Sequence, residues 1–157
     1  MKNLICSILI LLSGPVFGQS ISINSGNTWT LPSPSALVTT AGKNYEHIET
    51  SPTSQTLIKV TSFLLWSVSV QMTNTSNWDP SLKLFVRRTG DGTGSAILGG
   101  SNNYIQLTTA NQAFFWGLLS LGFNRDNVPV QYKIEGLSVT LPVKTYTTTI
   151  LYTISGL

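Results

Sequence analysis

The chain has 157 residues, 41% hydrophobic and only 10% charged, with nine Lys and Arg against six Asp and Glu, one His and one Cys. A formal charge of +3 spread this thinly is no basic patch, so nucleic-acid binding is disfavoured and little material remains for a charge-driven site. The length suits one domain with a full hydrophobic core.

The first segment reads as an export signal. Met1, Lys2 and Asn3 make a short positive start, an apolar run covers 4–12, and Val16-Phe17-Gly18 offers small or modest residues where a signal peptidase reads. Cleavage after Gly18 predicts a signal peptide over 1–18 and a single domain over 19–157. The apolar run is shorter than the roughly 20 residues that span a bilayer. Cys6 leaves with the signal, so the expected mature chain has no disulfide, no Cys-based zinc site and no cysteine nucleophile. No second long apolar run follows, and no transmembrane segment is expected in the mature chain. Export without cross-links fits a bacterial source.

Along the rest of the chain, Ser and Thr abound, and Gly and Pro punctuate short apolar runs, which argues for strands joined by turns. Ile21 and Ile23 alternate before the turn residues Asn24-Ser25-Gly26-Asn27. Leu37-Val38 suggests a short extended piece, and Ala41-Gly42-Lys43-Asn44 a turn. The clearest pattern is Trp66, Val68, Val70 and Met72 alternating with Ser67, Ser69, Gln71 and Thr73, a strand with one covered face. Phe63-Leu64-Leu65 before it is apolar on both faces, which predicts a fully covered start or a bulge.

Asn77-Trp78-Asp79-Pro80 predicts a turn, and Leu82, Leu84 and Val86 alternate with Lys83, Phe85 and Arg87 in the strand after it. That strand ends in Thr89-Gly90-Asp91-Gly92-Thr93-Gly94, read as a hairpin turn. Short extended pieces follow at 97–100 and 104–108. Residues 109–121 fit a short helical face or a buried strand, and the clustered Phe114, Phe115 and Trp116 before Gly117 favour the strand. Arg125-Asp126-Asn127 predicts a polar turn with Arg125 and Asp126 as solvent-facing partners worth at most about 1 kcal/mol. Val130, Tyr132 and Ile134 then alternate until Gly136, where a break is expected, and Leu137 and Val139 resume. The tail places Tyr146, Thr148, Ile150, Tyr152 and Ile154 on one face.

Seven or eight strands with one covered face each need a second sheet to cover them. The expected fold is all-β: an antiparallel β-sandwich with immunoglobulin-like or related Greek-key topology, a closed barrel being the alternative.

Candidate chemistry is sparse. His47, between Glu46 and Ile48, has no His or Cys companion to build a zinc site and no Gly-x-Ser-x-Gly elbow to serve, so neither metal nor serine hydrolysis is expected. Glu46, Glu49, Asp79, Asp91, Asp126 and Glu135 supply carboxylates without selecting a glycosidase pair. Asp91 in its Gly-rich turn lacks the acidic spacing of a calcium loop. No catalytic residue, metal or cofactor is assigned. Trp29, Trp78 and Tyr104 flank turns, where they could close the ends of a sandwich or stack on a sugar ring beside Asn77, Asn102 or Asn103.

The segments Val130-Gln131-Tyr132-Lys133-Ile134 and Thr145-Tyr146-Thr147-Thr148-Thr149-Ile150-Leu151-Tyr152-Thr153-Ile154 resemble the ends of small exported bacterial β-sandwich surface proteins of the fimbrial-subunit kind, which finish in a Thr/Tyr-rich strand. The resemblance covers the last third of the chain and implies surface structure or adhesion through assembly with itself or another surface protein. The cysteine pair of many fimbrial subunits is missing, which sets the chain apart from chaperone-dependent pili. Physically, a tail strand at a sheet edge could add to another sheet, with Tyr146, Ile150, Tyr152 and Ile154 as anchors; internal pairing explains the same pattern and is favoured. The expected function is an exported, non-enzymatic structural or adhesive domain at the bacterial surface or outside the cell. A carbohydrate-binding module using the turn-adjacent aromatics is the alternative.

Overall fold

A computed structural model describes residues 18–31, 46–62, 65–94, 97–118 and 124–156. The signal expected over 1–18, apart from Gly18, lies outside the described residues, as do Leu37-Val38, the turn at 41–44 and Phe63-Leu64. The described strands are β1 (Ser20–Ser25), β2 (Glu46–Thr50), β3 (Thr56–Thr61), β4 (Trp66–Thr73), β5 (Lys83–Arg88), β6 (Ile97–Gly99), β7 (Ile105–Gln106), β8 (Gln112–Leu118), β9 (Asn124–Ser138) and β10 (Thr149–Gly156).

Two antiparallel sheets pack face to face. The first runs β1-β3-β9-β5-β7, with β2 also paired to β9; the second runs β10-β4-β8-β6. From β3 onward every step along the chain crosses to the other sheet. The ladders β3 with β9, β4 with β8 and β5 with β7 are nested in sequence, as if one long hairpin had been folded over on itself.

The period-2 pattern puts Trp66, Val68, Val70 and Met72 of β4 into the interior, opposite Ile58 and Val60 of β3, Leu84 and Val86 of β5, and Val128, Val130 and Ile134 of β9. Each such side chain contributes roughly 1.5–3 kcal/mol on burial. The 109–121 segment contains a strand, β8, whose register against β4 shifts between Val68 and Ser69. That irregularity buries both Phe114 and Phe115 and turns Trp116 outward.

The stretch before β4 carries a strand of its own, β3, which lies in the opposite sheet. Two expectations need correction. Residues 125–127 form no solvent-facing turn: they belong to β9, where Asn127 (φ 55°) accompanies a register shift against β3, and Arg125 is buried. Gly136 does not end that strand either. With φ 87° it sits where β9 slips by one residue against β2, a bulge that lets a 15-residue strand bend without stopping.

One polar chain crosses the interior. Tyr152 Oη lies 3.0 Å from Tyr132 Oη, which donates to Thr56 Oγ1 at 2.8 Å, and Thr56 Oγ1 donates to the Gly26 carbonyl at 2.6 Å. Burial raises the pKa of Tyr132 above 10.0 and that of Tyr152 well above it. A phenol that ionises later in the folded state holds its proton more tightly there. Its stabilising contribution is complete below the unfolded value near 10 and is lost as pH rises beyond it. Stability measured by urea melts should therefore be level up to about pH 9 and then fall by about 1.4 kcal/mol per pH unit for each phenol that stays protonated in the folded protein. Tyr132→Phe should make the alkaline limb shallower; an unchanged limb would contradict the buried pair.

Candidate interaction site at the end of the second sheet

The β10 segment, TILYTISG, is rich in β-branched residues and carries neither charge nor proline, so extended structure suits it. It pairs with β4 through eight consecutive positions, from Thr149 opposite Thr73 to Gly156 opposite Trp66, with no register shift. Ile150, Tyr152 and Ile154 turn inward and pack on the core, and Tyr146, just before the strand, packs there too while its hydroxyl donates to the Pro142 carbonyl at 2.6 Å.

Among the described residues β10 stands at the end of its sheet, with β4 as its one ladder partner, rather than between two strands. The backbone edge is approached at one end, where Gln19 stands beside Gly156. Side chains named as anchors thus serve the protein's own interior, and the strand offers its surroundings a backbone edge plus Thr149, Leu151, Thr153 and Ser155 on its outer face.

The other sheet ends are blunted. β6 has three residues and β7 two, while β1 and β2 both carry register shifts against their partners. Short or bulged strands are the usual protection against edge-to-edge pairing. β10 has none of these features.

The turn-adjacent aromatics are placed differently. Trp29 stacks on Tyr132 with ring centroids 6.0 Å apart and 21° between planes. Trp78 packs against the core and donates from Nε1 to the Leu82 carbonyl at 2.9 Å. Tyr104 has Arg87 Cζ at 4.7 Å and Lys133 Nζ at 4.8 Å from its ring centroid and donates to Gln131 Oε1 at 3.0 Å. Asn77, Asn102 and Asn103 are exposed. The Asn77-Trp78-Asp79-Pro80 turn is present: Asp79 Oδ1 accepts from Ser81 N at 3.0 Å and from Ser81 Oγ at 2.7 Å. These bonds, the backbone one foremost, hold the Asp79 pKa below its ordinary value.

Carboxylates have local partners. Glu49 Oε1 lies 2.6 Å from His47 Nε2, Asp126 Oδ1 3.1 Å from Lys59 Nζ, and Glu135 Oε1 2.6 Å from Lys133 Nζ. Asp91 pairs with the buried Arg88. The Gly-rich turn is further held by Arg125, whose Nε donates to the Asp91 carbonyl and Nη1 to the Gly94 carbonyl, both at 2.6 Å. Oxygens that a calcium ion would need are therefore occupied by two guanidinium groups. Among the described residues no group of three or more His, Cys, Asp and Glu could hold a metal, and no helix is long and apolar enough to cross a membrane.

Two features escaped the sequence reading. Gln131, buried on the first sheet's outer side, accepts from Arg87 Nε at 2.8 Å and donates to the Ser51 carbonyl at 2.7 Å, tying β5 and β9 to the segment after β2. Trp116, 42% exposed, stands on the second sheet's outer face. Only the phase of Trp116 relative to Phe115 could have hinted at this, and the β8 bulge conceals that phase. Comparison with known proteins finds no matching family model, no matching curated protein and no matching solved structure.

Proposed function

We propose that this chain is an exported, non-enzymatic structural or adhesive domain that associates with itself or another surface protein by strand addition at β10. The observation that carries the reading is an eight-residue, uncharged, unbulged strand that, among the described residues, stands at the end of its sheet, while the other end strands described are short or irregular. Backbone pairing supplies affinity in such a contact, and a strand without Lys, Pro or bulge does nothing to discourage it. Export rests on the charge, apolar run and small residues of positions 1–18. The non-enzymatic part is supported by carboxylates that are already paired and by a single His engaged with Glu49.

The finer topology fits the related Greek-key alternative better than the immunoglobulin one. Nested ladders between strands that alternate sheets are the jelly-roll pattern of two Greek keys. Topology alone assigns no activity. Carbohydrate binding at Trp29, Trp78 and Tyr104 has less support, since each ring is stacked, packed or flanked by cations.

Sedimentation velocity over a wide concentration range tests the association. The protein should form concentration-dependent oligomers, and the double variant Leu151→Lys with Thr153→Lys should remain monomeric with an unchanged circular-dichroism spectrum. Removing the whole tail is a poor test, because Ile150, Tyr152 and Ile154 cover the core. A strictly monomeric wild-type protein would refute self-association at this edge.

A further inference from the structure

The outer face of the second sheet carries a groove of about 430 Å³ whose lining includes no charged side chain. Ser67, Ser69, Ser101, Asn103, Asn111 and Ser155 supply its polar side chains, all of which can both donate and accept. The Asn103 and Asn111 side-chain amides make no hydrogen bond among the described residues, and the Ser67 and Ser155 hydroxyls lie 2.9 Å apart. Along this groove stands Trp116, 42% exposed. Its indole lies across Gly99 of β6, where a Cβ would come 2.1 Å from the ring. The sheet backbone thus supports one side of the ring, and β8 is fixed by ladders to both β4 and β6.

We infer that this groove binds a neutral oligosaccharide, with the apolar face of one pyranose stacked on Trp116 and its hydroxyls bonded by the serine and asparagine side chains. A neutral polyol is favoured because a charged ligand would lose hydration with no opposite charge to meet it, whereas hydroxyls find groups that exchange donor and acceptor roles as water does. A flat aromatic ring beside convergent polar groups is what a sugar requires for orientation. Trp116 sits on a doubly paired strand, so little ordering is needed on binding. This site shares Ser155 with the outer face of β10 but does not use that strand's backbone edge.

The test is calorimetric titration of the full protein with neutral hexaoses of β-1,4-glucose, β-1,3-glucose, β-1,4-mannose and β-1,4-N-acetylglucosamine, with hexagalacturonate as the anionic comparison. At least one neutral hexaose should bind and hexagalacturonate should not. Trp116→Ala should weaken binding about tenfold or more and Trp116→Phe less, while Asn111→Ala should cost about fivefold. The indole N–H resonance that disappears in Trp116→Ala should shift on titration of the wild-type protein. Failure of all four neutral hexaoses to bind, equal binding by Trp116→Ala, or preference for hexagalacturonate would overturn the inference. Loss of self-association in Trp116→Ala, without any glycan binding, would assign the face to a second copy of the chain instead.

Discussion

Truncating Trp66 to alanine should lower the unfolding free energy by about 3–5 kcal/mol, the range for deleting a large aromatic from a packed core. Trp66 is 0% exposed and meets Phe115 edge-on, with centroids 5.9 Å apart and 83° between planes. Its indole covers Gly117 of the neighbouring strand, where a Cβ would stand 2.1 Å from the ring. Gly117→Ala should therefore also destabilise, by about 1–3 kcal/mol, because the ring cannot withdraw from a close-packed interior. The two costs share one cause. In a Trp66→Leu background the penalty of Gly117→Ala should shrink, a coupling that a double-mutant cycle from urea melts reads directly. Additive costs, or a Trp66→Ala effect below about 1 kcal/mol, would show that the indole is not the keystone of this contact.

The same pairing of indole and glycine occurs twice on one sheet, inside at Trp66 and Gly117 and outside at Trp116 and Gly99. Sequence patterning reveals the first and conceals the second. Trp66 lies in phase with Val68, Val70 and Met72, and strict alternation with Ser and Gln leaves one assignment of faces. Trp116 follows two buried phenylalanines across an irregular register, and period-2 counting loses its phase at such a site. β9 was hidden for a related reason: its irregularities at Asn127 and Gly136 divide one strand into pieces that look like turns. β2 gives no period-2 signal because it inverts the usual pattern, with Ile48 exposed while His47 and Glu49 are half-buried. The inward set of β10 was legible from its own residues. Its place at the sheet's end was not, since strand order depends on contacts far away in sequence.

Arg125→Ala should rank next in cost, at about 2–4 kcal/mol, although its sequence context suggested a solvent-exposed ion pair worth at most about 1 kcal/mol. The side chain is 9% exposed and donates two 2.6 Å bonds, to the Asp91 and Gly94 carbonyls. Hydrogen bonds from a charged donor are worth about 1.5–3 kcal/mol, and removing the donor leaves acceptors that must find water or stay unsatisfied. The bonds fix the turn between β5 and β6 against β9, beside the Thr93–Asp126 bridge and the 3.0 Å bond from Thr89 N to the Pro129 carbonyl. Lysine cannot reproduce a fork that spans two carbonyls, so Arg125→Lys should recover only part of the loss. Asp91→Asn should cost less than Arg125→Ala. It weakens one pairing with the buried Arg88, whose Nη1 also has the Gly90 carbonyl 3.3 Å away, and the Asp91 carboxylate is more than half exposed, so water offsets part of the change. Guanidinium denaturation and amide exchange of residues 89–94 would measure both effects. Exchange in that turn should accelerate in Arg125→Ala more than in Asp91→Asn; the reverse order would mean that the carboxylate, and not the carbonyl clamp, holds the turn.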